Sequence, residues 1–373
     1  MKTLYDYIVA SAESATALQK SDGSFPAGVN GPHNQPETPV RTTSHWLITL
    51  LKAYEISNEQ KFLDGAKAAV AYLLLPAHRP HNKTYVCREL PGLDKANGLI
   101  GQAWVIEALC KAYAVLKIEP CLQIAHEVFE LHPFNEKSGL WEIVDADGSR
   151  FRTRYDLVIN HQIWFAAAAS GLLKLNMPDS HYRSIDNKIR LFLDNLDKNL
   201  FFNKNGTYSH SITQRSWLLF TAPVSFLKIS PFLRNLKRQI MNVKEELAYG
   251  YHAFHTHGLA ILNNNFADHL FWDKQIINKG IGLINSQGFK SQVAKSKYGM
   301  HYNPPGIECA YSLQAFSSCH EDDYSQNIVD WLRWQFENTW STADHLMNKV
   351  LHDPVTYASR IYEAARLKNH DLF

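Results

Sequence analysis

Two kinds of segment alternate along the chain. Apolar residues at helical spacing form runs that come in pairs joined by very short turns, and long polar stretches separate one pair from the next. A first helix is predicted near 4–18. Pairs follow at 40–56 with 59–75, 96–117 with 120–131, 155–175 with 179–196, 249–263 with 267–284 and 305–318 with 323–338, and a last helix lies near 355–368. Within a pair the turn is as short as Ser57 to Asn58, Lys117 to Glu119 or Asn176 to Pro178. Between pairs the chain runs through 19–39, 76–95, 133–154, 197–248, 285–304 and 339–354. Connections longer than about 12–15 residues are uncommon in compact domains and usually functional, so their regular recurrence predicts an architecture.

Pairing the last helix with the first gives six helical hairpins in two concentric layers, an all-α (α/α)6 toroid with every long loop on one rim. The patterning separates the layers. Segments 97–116 and 157–173 are apolar nearly all round, as helices covered on every side must be, and are expected inside. Segment 59–75 sets Phe62, Ala66, Ala69 and Leu73 against Lys61, Asp64 and Lys67, and 182–196 is equally one-sided; these are expected outside. The inner helices then begin at the loop-bearing rim. Their free N–H groups and positive dipole ends suit an anionic ligand there.

Composition narrows the class. No linker interrupts the repeat across residues 1–373, so one domain is expected, and 45% hydrophobic residues suffice for a large core. A formal charge of +2 without long charge blocks gives no support to nucleic-acid binding. The five cysteines are scattered and odd in number, as reduced core residues would be. The first residues carry Asp6 and Glu13 and lack the apolar run of a signal peptide, and no segment approaches the ~20 apolar residues that cross a bilayer. A cytoplasmic protein without membrane insertion is expected, and a homo-oligomer is allowed.

Candidate chemistry gathers at the predicted starts of inner helices. In 250–262, His252 and His255 share a helix face beside Tyr251, which offers proton transfer near neutral pH; no HExxH or comparable spacing supports a metal, and no cofactor motif is present. Glu308 falls in the first turn after Pro304 and Pro305, with Tyr302 just before it, as a dipole partner or a catalytic acid. Residues 139–165 supply Trp141, Glu142, Arg152, Asn160 and His161, an aromatic ring beside arginines and a carboxylate, which is what an acidic sugar requires. Arg41, His45, Gln102 and Arg360 lie at corresponding helix starts and complete the expected binding set. For His252, His255 and His161, a hydrogen-bonded place in the packed interior is the competing expectation.

Several motifs carry resemblances. Gln19 to Phe25 resembles the QxxDGxW-type motif of terpene cyclases and other helical toroids, which implies a turn after an outer helix; the acidic DxDD motif of squalene-type cyclases is absent. The run NGLIGQAWVIEALCKAYAVL followed by HPFNEKSGLWE resembles N-acylglucosamine 2-epimerases, and Tyr251–His252–x–x–His255 resembles the catalytic domain of glucuronyl 5-epimerases, whose corresponding tyrosine is catalytic. The chain departs from the 2-epimerases in having His255 where they carry a glutamate and Arg360 without a neighbouring late histidine. These resemblances imply an enzyme that epimerises a uronic acid or N-acylated sugar of a bacterial surface polysaccharide. Tyr251 or His255 would take the proton, and Tyr302 or His161 would return one. The alternatives are a glycoside hydrolase using Glu142 and Glu308, a lyase, and a glycan-binding protein without activity.

Overall fold

The computed structural model describes residues 1–212, 231–317 and 323–373, apart from the side chains of 150–154 and 231–243. Cys319 and Arg152's side chain lie outside the described part. The predicted toroid is present. Helices α2 (Val40–Ser57), α4 (Gly98–Leu116), α6 (Ile159–Ser170), α8 (Pro231–Asn265) and α11 (Pro305–Ser317) contact one another in chain order. Helix α13 (Pro354–Ser359) and the tighter turns Arg360–Arg366 that continue it pack against α2 and close the inner ring.

Each inner member has an outer partner. Helix α3 (Gln60–Leu73) packs on α2, α5 (Glu119–Leu131) on α4, α7 (Asp179–Asn199) on α6, α9 (Gln275–Ile284) and α10 (Phe289–Lys295) on α8, and α12 (Ser325–Thr339) on α11. Helix α1 (Leu4–Leu18) covers Arg360–Arg366 and α2. Short turns work because the chain reverses through left-handed residues: Asn58 closes α2 at φ 56° and Lys117 closes α4 at φ 57°. The Gln19–Phe25 motif has the structural role its resemblance implied. Gln19 Nε2 donates to the carbonyls of Gly23 and Gly65, and Asp22 accepts from the backbone N–H and hydroxyl of Ser24.

Burial follows the predicted layers. Every residue of α6 except His161 is buried, whereas α7 buries only one stripe. Helix α4 has the length and composition to cross a membrane, contrary to the sequence expectation, but it is an inner helix and most of it is buried by its neighbours.

The boundaries depart from expectation in three places. Residues 133–154, expected as loop, form an antiparallel sheet of β1 (Phe134–Asn135), β2 (Leu140–Val144) and β3 (Arg150–Tyr155), in the order β1-β2-β3. Helix α6 therefore starts at Ile159 rather than 155, because Tyr155 pairs with Glu142 and Asp156 turns its carboxylate onto the N–H of Val158. Helix α8 begins at Pro231, well before the predicted 249, and α10 occupies part of an expected loop.

The sheet packs its inner face into a ring cluster. Trp141, fully buried, has ring centroids of Phe134 at 4.7 Å, Phe192 at 5.3 Å, Phe165 at 5.6 Å and Phe129 at 5.9 Å. This corrects the expectation that Trp141 stacks on a sugar: its faces are already used by the interior. Removing a ring this enclosed leaves a void that the neighbours cannot fill. Trp141→Ala is expected to destabilise the fold by about 3–5 kcal/mol, read from urea unfolding, while Trp141→Phe loses much less.

Candidate functional site

On the loop-bearing rim, a cavity of about 180 Å³ opens among side chains from four of the inner helices, the closing segment and four loops. Arg41 reaches it from α2, Asn97, Ile100 and Trp104 from α4, Asn160 and His161 from α6, Tyr251 and Phe254 from α8, and Arg360 from the closing segment. Asn30, His33 and Gln35 come from the first long loop, Arg88 from the second, His210 from the segment before 212, and Tyr302 and Asn303 from the loop before α11. No Asp or Glu is among the described lining residues, and residues 213–230 contain none in their sequence.

Buried ion pairs hold the basic groups. Arg41 donates to both Glu37 oxygens, at 3.0 and 3.2 Å, and to Asn30 Oδ1 at 3.1 Å, with its guanidinium 4.1 Å from the Trp104 ring. Arg88 pairs with Asp94 at 2.6 Å. Arg360 is the most heavily bonded. Its Nε donates to Glu363 at 2.6 Å, one terminal nitrogen to Glu308 at 2.9 Å, and the other to Asn303 Oδ1 and the Tyr302 carbonyl. Burial pushes the Glu308 carboxyl well above the ordinary range, as does the nearby Glu363. Burial opposes Glu363's charge too, but Arg360 and a hydrogen bond from His257 hold it below that range. Of the two carboxyls on this guanidinium, Glu363 is therefore the one whose charge is favoured and Glu308 the one whose charge is disfavoured, as expected when buried carboxyls share a cation.

Two acid–base pairs flank the cavity. His161 Nδ1–H donates to Asp156 Oδ2 at 2.8 Å, which leaves Nε2 as the basic nitrogen. Burial disfavours the Asp156 charge, but His161 and the N–H groups of Leu99 and Val158 outweigh it and lower its carboxyl. The Tyr251 hydroxyl, on the same cavity, is 2.9 Å from His33 Nε2. Tyr302 donates its proton to Asn30 Oδ1 at 2.7 Å, so its oxygen is left to accept from Tyr251. Burial, reinforced by Tyr302, raises the Tyr251 phenol well above its ordinary range, and burial beside Arg41 lowers His33 to about 4. The pair is a neutral phenol against a neutral imidazole. His210, also neutral through burial, has its ring 4.7 Å from that of Tyr251.

The structure brings together Arg41, Asn160, His161, Tyr251, Tyr302 and Arg360 of the residues expected from sequence, and it corrects the others. His252 accepts from the N–H of Tyr208 and donates to the Gly280 carbonyl, both at 3.0 Å, so both nitrogens serve the interior. His255 Nδ1–H is spent on the Tyr251 carbonyl one turn back, at 2.5 Å, and the residue is fully buried away from the lining. His45 stacks on Tyr362 and bonds Ser359, beneath the cavity floor. Gln102 brackets the backbone of Tyr85 and Ala96, a tie between loop and helix. Glu142 is buried in β2, and Glu308 sits behind Arg360, so neither carboxylate meets the cavity.

His33, His210 and Asn30 were missed because they lie in loops without periodicity. A positional signal existed for the first loop: Asn30, Gly31 and Asn34 all take left-handed backbone, at φ 56°, 55° and 50°. At Gly31 a Cβ would stand 2.1 Å from the Tyr302 ring.

The buried imidazoles predict how stability depends on pH. Burial lowers His33, His132 and His252 to about 4 and His255 to about 3. Unfolded histidines bind protons near 6.5, so between pH 6.5 and 4 the unfolded chain carries more protons, and stability falls as pH falls. Urea unfolding at pH 7, 6 and 5 should show this decline. Its slope should drop in His252→Gln by up to one proton, about 1.4 kcal/mol per pH unit.

No protein-family model matches the chain. Over 384 aligned residues, spanning 100% of both chains, it is 36% identical to archaeal glycosylation protein Q of Haloferax volcanii. Among solved structures it is similar to cellobiose 2-epimerase from Bacillus thermoamylovorans, at 10% identity with TM-score 0.61 over 94% of each chain. It is similar as well to a D-mannose isomerase, at 13% identity with TM-score 0.63 over 97% of this chain and 95% of that one. An unsaturated glucuronyl hydrolase specific for heparin matches at 13% identity with TM-score 0.60, over 97% and 94%. At these identities the likeness to the solved structures is one of fold.

Proposed function

The chain belongs to the family of archaeal glycosylation protein Q, and from that premise we propose that it is a sugar epimerase acting on an acidic sugar in glycan assembly. The observation that carries this reading is the makeup of the cavity: arginines, histidines and a tyrosine, with no carboxylate among the described lining residues. A glycoside hydrolase of the usual kind needs two carboxyl groups facing the scissile bond, and Glu142 and Glu308 are both withdrawn from it. Inversion at carbon needs two proton-transfer groups on opposite faces, and two acid–base pairs in one cavity, His161–Asp156 and Tyr251–His33, support that assignment.

In this reading Arg41 holds the sugar carboxylate, and Arg360, whose own N–H groups are taken by Glu363, Glu308, Asn303 and Tyr302, adds its positive field. His161 Nε2 removes the proton from the adjacent carbon, and the C–H electron pair moves into the carboxylate, where the guanidiniums offset the growing charge. Tyr251 delivers its proton to the opposite face of the same carbon. The oxygen left behind is within the field of Arg41 and Arg360 and recovers a proton from solvent, while His161 Nε2 releases to solvent the proton it took. The roles exchange in the reverse direction.

Incubation with a panel of uronate-containing and N-acylated sugars in deuterated water, read by proton NMR and mass spectrometry, is expected to place solvent deuterium on one carbon of an intact sugar. Tyr251→Phe and His161→Ala are each expected to slow that exchange by about 10²–10⁴-fold. Cleaved product without exchange would replace this reading with a hydrolase, and an unsaturated chain end would replace it with a lyase.

A further inference from the structure

We propose that the site takes a single sugar unit, free or at the end of a chain, and excludes the interior units of a polysaccharide. This rests on the proposed function only in taking the ligand to be a sugar; it names which part of a glycan enters. The first observation is size. The cavity holds about 180 Å³, below the ~300–1,000 Å³ of pockets that admit drug-sized ligands. A cavity of that size suits one ring-sized ligand better than several linked ones.

The second observation is that the walls are tied shut on two sides. The loop carrying Asn30 and His33 is anchored from below by Asp353, whose Oδ2 accepts from the N–H groups of Val29 at 2.8 Å and Gly31 at 3.0 Å. Its far end is tied across to Arg88, which donates to Gln35 Oε1 at 3.0 Å. At Gly31 the backbone lies directly on the Tyr302 ring. On the other side, the segment carrying His210 is stitched to the start of α6. The N–H of Ile159 donates to the His210 carbonyl at 3.2 Å, and that of Ile212 to the Leu157 carbonyl at 2.9 Å. Tyr251 lies between these walls, bonded by His33 and faced by His210. A polymer crossing Tyr251 from one wall to the other would have to part them and break these bonds, whereas a chain end enters from the rim without disturbing either.

Saturation-transfer NMR on the full chain separates these cases without needing turnover. The probes are glucuronic, galacturonic and mannuronic acids with glucose and mannose, and linear tri- and hexamers of whichever monosaccharides bind. Saturation is expected on the monosaccharide ring and on one terminal ring of each oligomer, with affinity per chain changing less than threefold from monomer to hexamer. Saturation of interior rings, a hexamer bound more than tenfold tighter than its monomer, or no binding of any monosaccharide would overturn the proposal. Terminal-ring saturation without deuterium exchange would instead refute the epimerase reading and leave this inference standing.

Discussion

The site is organised around the burial of one charge. Arg360 is nearly inaccessible to solvent, and a buried guanidinium is tolerated only when every face of it is bonded. Its partners fix the geometry around it. Glu308 draws in α11, Glu363 its own segment, and Asn303 with the Tyr302 carbonyl the loop ahead of α11. Because Tyr302 bonds Asn30, and Asn30 accepts from Arg41, the constraint passes through the cavity floor to α2 and the first loop. The inner ring is closed at its seam by electrostatics as well as by packing.

The histidines around this floor are uncharged for a physical reason that also suits them to proton transfer. Burial, reinforced by Arg41 at His33 and by neighbouring histidines at His210, disfavours a positive charge on either, so both remain bases at neutral pH. His161 differs in being partly open and held by Asp156, which selects its tautomer. Two proton-transfer groups in unlike settings meet in one small space, and each is oriented by a partner that does not itself line the centre or is drawn from another element.

The fold was legible because hydrophobic periodicity and connection length are both set by architecture. Segments 97–116 and 157–173 read as inner helices because enclosure by protein on nearly all sides leaves few positions for a charge. The small sheet was not legible, since β1 and β2 are short and β2 is buried throughout, giving no alternation to read. For the site, helix-start positions identified Arg41, His161, Tyr251 and Arg360. They misidentified Trp141, Glu142, Glu308, His252 and His255, because a polar or aromatic residue near the rim can equally be turned inward to satisfy backbone groups or fill the core. Whether His252 bonds Gly280 or faces a ligand depends on α9, which is distant in sequence. His33 and His210 are placed by loop geometry, which local patterning does not encode.

The arginines of the cavity come already matched: Arg41 with Glu37, Arg88 with Asp94, and Arg360 with Glu363 and Glu308. Such compensated pairs act as dipoles whose field fades over a few ångströms, unlike a bare cationic patch that reaches out through a Debye length. An anionic ligand is therefore not drawn in from solution. On the proposed reading, an acidic sugar would be recognised only on contact, so encounter would be governed by diffusion and shape, and dissolved salt would have little to screen.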